Sequence, residues 1–306
     1  MISLAALPLR FGDPVLALST TNKYLAYGTA YGRVILYDMF SQEYQQVVEI
    51  SEEYISSIKV TGNNHLYFAI GDFYCAEVGP FTKDSRPKLS HYNKVHTVDD
   101  CGNSVAFIYM DTCCLIPTNG GNIYLLNFTQ QNSIIYDPLP PSTIPLDYYN
   151  EKILTLQYKS TGARCYSHFC FKTGIIEEII SIGKEHGHIT GVKMYRDGIV
   201  FIRNFKSLNL YRYDENDTQN VFEIKTNIIS YGLCEIDDVI WCGIIDKMSN
   251  LTVLKNWEWI CEGVLEYEGQ KVQDFNYGYP YLLVIHPPYL AVTSDSFVYI
   301  LEITSK

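Results

Sequence analysis

The feature that most constrains this chain is a repeat. Short runs of residues recur along it, either apolar throughout or alternating apolar with polar, and each is bounded by Gly, Asn, Asp, Ser or Thr. The runs gather in fours, and the groups recur about every 40 to 45 residues, the period of propeller blades. Helical periodicity is nearly absent. A group of four strands cannot bury both its faces alone, so stacking on the next group supplies the core.

The first group is the clearest. VLALSTT (Val15 to Thr21) predicts an inner strand, followed by KYLAYGTA, GRVILYDM and an outer strand YQQVVEI. The second group holds YISSIKV, HLYFAIG and FYCAEVG. The third holds SVAFIYM, TCCLIPT, NIYLLNF and SIIYDP. The fourth has an inner strand near Ile144 to Tyr149, then KILTLQYK, ARCYSHFCF and IIEEIISI. The fifth runs ITGVKMYR, GIVFIRNF, LNLYRYD and VFEIK, and the sixth IISYGLCE, DVIWCGII, NLTVLKNW and WICEGVLE. The seventh begins with either VQDFNYG or YLLVIH and continues with PYLAVTSD and FVYILEIT.

That last group has three strands, and ISLAALPL (Ile2 to Leu9) is left over at the start. Pairing the spare strand with the last group predicts an all-β fold, a single seven-bladed β-propeller over residues 1–306. An N-terminal outer strand joining the C-terminal blade would close it. Closure removes the exposed sheet edges that a linear array keeps.

Composition narrows the function classes. The net charge is −11, and there is no Lys/Arg run. This argues against nucleic acid, whose binding draws on a basic surface. An acidic surface suits a basic partner segment or plain solubility. Nine cysteines are scattered without the pattern of a disulfide framework. MISLAALPLRF has no basic n-region, and YLLVIHPPYLAV is broken by His286, Pro287 and Pro288. The expectation is a cytoplasmic or other intracellular reducing compartment, with no direct membrane insertion. The sequons at Asn127, Asn216 and Asn250 are read as chance triplets.

LAYGTAYGRVILYDM (Leu25 to Met39) resembles the second and third strands of a WD repeat. Tyr37-Asp38 and Tyr213-Asp214 stand where the family's Trp-Asp ends its third strand, and Gly187-His188 is similar to the Gly-His that opens a blade. The resemblance implies a divergent WD-repeat β-propeller. In that family the His, an inner-strand Ser/Thr and a turn Asp can form a hydrogen-bond network within a blade. Only fragments of the set occur here, which implies that apolar packing holds most blades. The first blade also looks like propellers of vesicle-tethering subunits, and the closing segment like a citron-homology propeller.

Chemistry-bearing residues form no converging set. His186-x-His188 on an extended segment could share a face, with Cys165, His168 and Cys170 as distant candidates for a zinc ligand. A blade-opening His188 and a solvated His186 are the preferred account of the pair. Cys113-Cys114 point to opposite faces of a strand. Asp214, Asn216 and Thr218 begin like a calcium loop, but Gln219 and Lys225 break it, and a polar hairpin explains the segment. His96, Asp99 and Asp100 read as a charged loop. No catalytic motif, metal or cofactor is expected.

Loops joining second and third strands share one propeller face with the links between blades. That face is expected to carry Tyr31, Asp72, Phe73, Phe205, Asp246 and Asp295. Tyr31 and Phe205 are aromatic residues in turns, where β-propensity does not require them, and exposed aromatics anchor interfaces. Interleaved Asp favours a Lys- or Arg-bearing segment. The reading is a non-catalytic interaction scaffold, a subunit of a larger hetero-complex, with vesicle trafficking or a ciliary role as a refinement. The rival is a hydrolase- or lactonase-like propeller enzyme with a metal in its channel.

Overall fold

The computed structural model describes residues 2–10, 12–49, 53–62, 64–71, 74–78, 89–94, 107–110, 113–117, 123–127, 132–136, 143–149, 151–170, 172–183, 187, 189–196, 198–213, 218–272, 282–294 and 297–304. Among them every regular element is a β-strand, and the strands form seven four-stranded antiparallel sheets and one small hairpin. Contacts divide the chain into two compact units, residues 1–92 with 227–306, and residues 93–226.

The first unit opens with β1 (Ile2–Arg10). Its next sheet is β2 (Val15–Thr20), β3 (Tyr24–Thr29), β4 (Arg33–Asp38) and β5 (Glu43–Glu49). A further sheet is β6 (Ile55–Val60), β7 (Leu66–Ile70), β8 (Tyr74–Val78) and β9 (Leu89–Lys94). The second group therefore has a fourth strand, at LSHYNK, which is too polar and too far from FYCAEVG to be read as one from the sequence.

The second unit holds β10 (Phe107–Met110), β11 (Cys113–Pro117), β12 (Ile123–Asn127) and β13 (Asn132–Tyr136). Then come β14 (Thr143–Tyr149), β15 (Lys152–Tyr158), β16 (Arg164–Cys170) and β17 (Ile175–Ile182). Its last sheet is β18 (Ile189–Tyr195), β19 (Gly198–Arg203), β20 (Ser207–Tyr213) and β21 (Thr218–Lys225).

Returning to the first unit, β22 (Ile228–Ile236), β23 (Val239–Asp246), β24 (Asn250–Lys255) and β25 (Glu258–Val264) form a sheet. The hairpin β26 (Glu266–Tyr267) and β27 (Gln270–Lys271) follows it. The last sheet is β28 (Leu283–His286), β29 (Tyr289–Ser294) and β30 (Phe297–Ile303), and its fourth member is β1. Ile2 lies opposite Ile303 and Arg10 opposite Phe297, so the spare N-terminal strand pairs where the sequence predicts. Of the two candidate first strands for this group, YLLVIH supplies it; VQDFNYG lies largely outside the described residues.

The core lies between sheets. Ala26, Val34 and Leu36 of one sheet pack on Ile55, Ile58 and Phe68 of the next. Leu25, Ile35 and Tyr37 pack on Ala291, Val298 and Ile300, and Ile245, Leu251 and Val253 on Leu283, Ile285 and Leu290. In the second unit Leu154 and Tyr166 pack on Met194, Ile199 and Phe201. Burying such side chains on both faces of a sheet is the dominant stabilising term.

First strands carry a recurrent step in register, between Val15 and Ala17, Ile55 and Ser57, Pro145 and Asp147, and Ile228 and Ser230. A bulge at one place in successive sheets increases local twist and keeps neighbouring sheets stackable. Polar first-strand side chains also join sheets. Val60 N donates to Ser19 Oγ at 3.1 Å, and Met194 N to Asp147 Oδ2 at 2.6 Å. These inner-strand oxygens thus link one sheet to the next.

Candidate functional site

In the first unit the turn between second and third strands lies beside the link into the first strand. Ala30 N donates to Pro14 O (2.9 Å), Gly71 N to Tyr54 O (2.6 Å), Lys247 N to Asn227 O (2.8 Å) and Thr293 N to Leu282 O (2.9 Å). Turns and links therefore share one end of each of these sheets.

Tyr31 stands at the tip of the β3–β4 turn and is 64% exposed. Its surroundings are fixed. Gly32 takes the left-handed conformation that a tight turn needs, and Arg33 N donates to Thr29 Oγ1 at 3.1 Å. The Arg33 guanidinium reaches Asp13 at 3.1 Å, tying the turn to the link before β2.

Phe205, 45% exposed, occupies the matching turn of the second unit. Asn204 and Phe205 both have positive φ, 53° and 55°, and Lys206 N donates to Arg203 O at 2.9 Å. This is a type I′ turn, which suits Asn and Gly and is unfavourable for a bulky side chain.

Asp246 is placed differently from the expectation of an outward carboxylate. It is 9% exposed, and it accepts hydrogen bonds from Met248 N (2.8 Å), Asn250 N (2.9 Å) and Asn250 Nδ2 (2.9 Å). Ser249 N–H closes the turn onto Asp246 O at 3.0 Å, Ser249 Oγ donates to Val272 O, and Leu265 N donates to Ser249 O at 2.8 Å. What this turn presents is Met248, 61% exposed, which sequence reasoning passed over. Its signal was its position, the tip of a turn equivalent to that of Tyr31. The Asn250 sequon has its amide nitrogen engaged with Asp246. Asp72, Phe73 and Asp295 lie outside the described residues, as do His96, Asp99, Asp100, His186 and His188.

The distant zinc candidates do not converge. Cys165 shares a face of β16 with Ser167, its sulfur 3.6 Å from Ser167 Oγ, while His168 and Cys170 point the other way. His168 is buried, which pushes its pKa down to about 4, with the Lys152 charge adding to the effect. Among the described residues no three His, Cys, Asp or Glu side chains gather as a metal cluster.

No family model matches the chain, and no curated protein matches it. Solved structures do. Raptor of Chaetomium thermophilum aligns over 99% of this chain with a TM-score of 0.68 at 10% identity. The computationally designed Ika8 protein aligns over 98% with a TM-score of 0.65 at 9% identity, covering all of that chain. This chain spans 29% of the length of the Raptor chain. At such identities the likeness is one of fold. The all-β architecture of four-stranded antiparallel sheets is consistent with propeller blades.

Proposed function

We propose that the chain is a seven-bladed WD-repeat propeller, closed by β1, that serves as a non-catalytic scaffold in a larger intracellular assembly. The observation that carries this reading is the set of equivalent turns bearing exposed, large apolar side chains: Tyr31, Met248 and Phe205. Rigid turns holding such residues outward are typical interface anchors. Asp246 acts in this reading by shaping the turn that presents Met248. The net charge of −11 favours partner segments carrying Lys or Arg. The fold likeness to Raptor is compatible with a role in protein interaction and says nothing of which partners are bound.

The test is to tag the chain in its own cells, isolate it gently, and compare its native size with the monomer mass of 35.1 kDa. A defined partner set that Tyr31→Ala or Met248→Ala strips away, with thermal stability unchanged, supports the scaffold reading. A lone monomer carrying stoichiometric metal would overturn it in favour of a propeller enzyme.

A further inference from the structure

The sheet β22–β25 carries all three tryptophans of the chain: Trp241 on β23, Trp257 in the turn after β24, and Trp259 on β25. Trp259 is 52% exposed and the adjacent Ile260 41%. Register explains how two consecutive residues of one strand come to face water. Cys261 lies opposite Val253 and Trp259 opposite Leu254, so Ile260 is the extra residue of a bulge. The bulge puts Trp259 on the same face as Glu262 and Val264, whose partners are Thr252 and Asn250. The other face is occupied, since Cys261 is buried and a Cβ on Gly263 would lie 3.0 Å from Ile2 Cβ.

Charge separates β25 from a comparable outer strand. On β17, Ile175 and Ile176 are exposed, but Glu178 pairs with Lys159 at 2.9 Å and Glu177 with Lys152 at 3.8 Å. On β25, Glu258 and Glu262 are exposed and make no ion pair among the described residues. Lys255 is the cross-strand partner of Glu258, yet its ammonium sits 5.4 Å from the centroid of the Trp241 ring. Strand β25 is the last member of its sheet, and among the described residues no strand pairs with its outer backbone edge.

The geometry points to β25 as a strand-addition site for an extended segment of another protein with basic residues at alternate positions. The backbone edge supplies the ladder. Trp259 and Ile260 supply the apolar anchor and Glu262, on the face of Trp259, supplies the charge complement, while Glu258, opposite Lys255, lies on the other face of the strand. The two carboxylates repel a second copy of this edge, which makes a basic strand the favoured occupant. This surface is separate from the turns bearing Tyr31 and Met248, so each can fail without the other.

The probe is a fluorescent nine-residue peptide of alternating Lys and Val, titrated onto the purified full-length chain, with a Glu/Val peptide as counterpart. Saturable binding is expected, weakening as salt rises, with slowed amide exchange confined to residues 258–264. Trp259→Ala should weaken it at least about tenfold. Glu262→Lys should weaken the Lys/Val peptide and let the Glu/Val peptide bind. Equal affinity for Trp259→Ala, exchange protection elsewhere, or self-association of the chain through β25 would each overturn the assignment. None of these readouts depends on the native assembly, and substitutions at Tyr31 or Met248 should leave them unchanged.

Discussion

At the scale of single residues, conformation and burial identify roles that residue type does not. Phe205 has a φ of 55° in a type I′ turn, a cost that Gly avoids. Phe205→Gly is expected to raise stability by about 0.5–1 kcal/mol while lowering partner recovery, and urea melts beside co-purification read both effects. His168 gives a pH prediction. Its folded pKa, pushed down to about 4, lies below the unfolded value of 6.5. Between these values the unfolded chain binds the extra proton, so this stability is fully present above pH 6.5 and is lost as pH falls towards 4. The contribution is on the order of 3 kcal/mol. His168→Leu should flatten the fall in urea midpoint between pH 7 and pH 5; an unchanged slope would remove His168 as its source.

At the scale of elements, β1 pairs with the last sheet although the rest of that sheet lies some 280 residues further along the chain. Deleting residues 1–10 strips β30 of one of its two partners and exposes an unpaired edge. The loss should be on the order of 5 kcal/mol, at about 1 kcal/mol for each hydrogen bond with the apolar term added. The truncated chain should aggregate. A synthetic Ile2–Arg10 peptide should restore part of the melting temperature, and a truncated chain that melts at the full-length temperature would show that β1 contributes little. The spare strand was legible because the last group had only three strands of its own and an unpaired edge to cover. The strand Leu89–Lys94 was not, because its polar run LSHYNK carries no period-2 signal. The bulges that recur in the first strands were not legible either, since any residue can take the extra place.

At the scale of the whole molecule, the register of β1 with β30 makes a circular permutation feasible. Ile2 lies opposite Ile303, so a short hairpin turn can join the two ends, with new termini opened between β1 and β2. If β1 is the outer strand of the last sheet, the permuted chain should keep the far-ultraviolet circular dichroism of the parent and melt within about 1–2 kcal/mol of it. A permuted chain that fails to fold would count against this pairing. The test uses all of the chain and is independent of what the protein binds.

The sequence by itself determined the period, the all-β character, most strand positions and the use of the spare N-terminal strand. These follow from local chemistry: alternation of apolar residues, turn formers between them, and the need to bury both faces of every sheet. Tertiary structure decided which side chains at the turn end face water. Asp246 and Met248 stand two residues apart, yet one is bound into its turn and the other projects from it, because the carboxylate has three donors within reach. It also decided that Trp259 and Ile260 share an exposed edge, because a bulge depends on how two strands register and leaves no trace in one strand's own pattern.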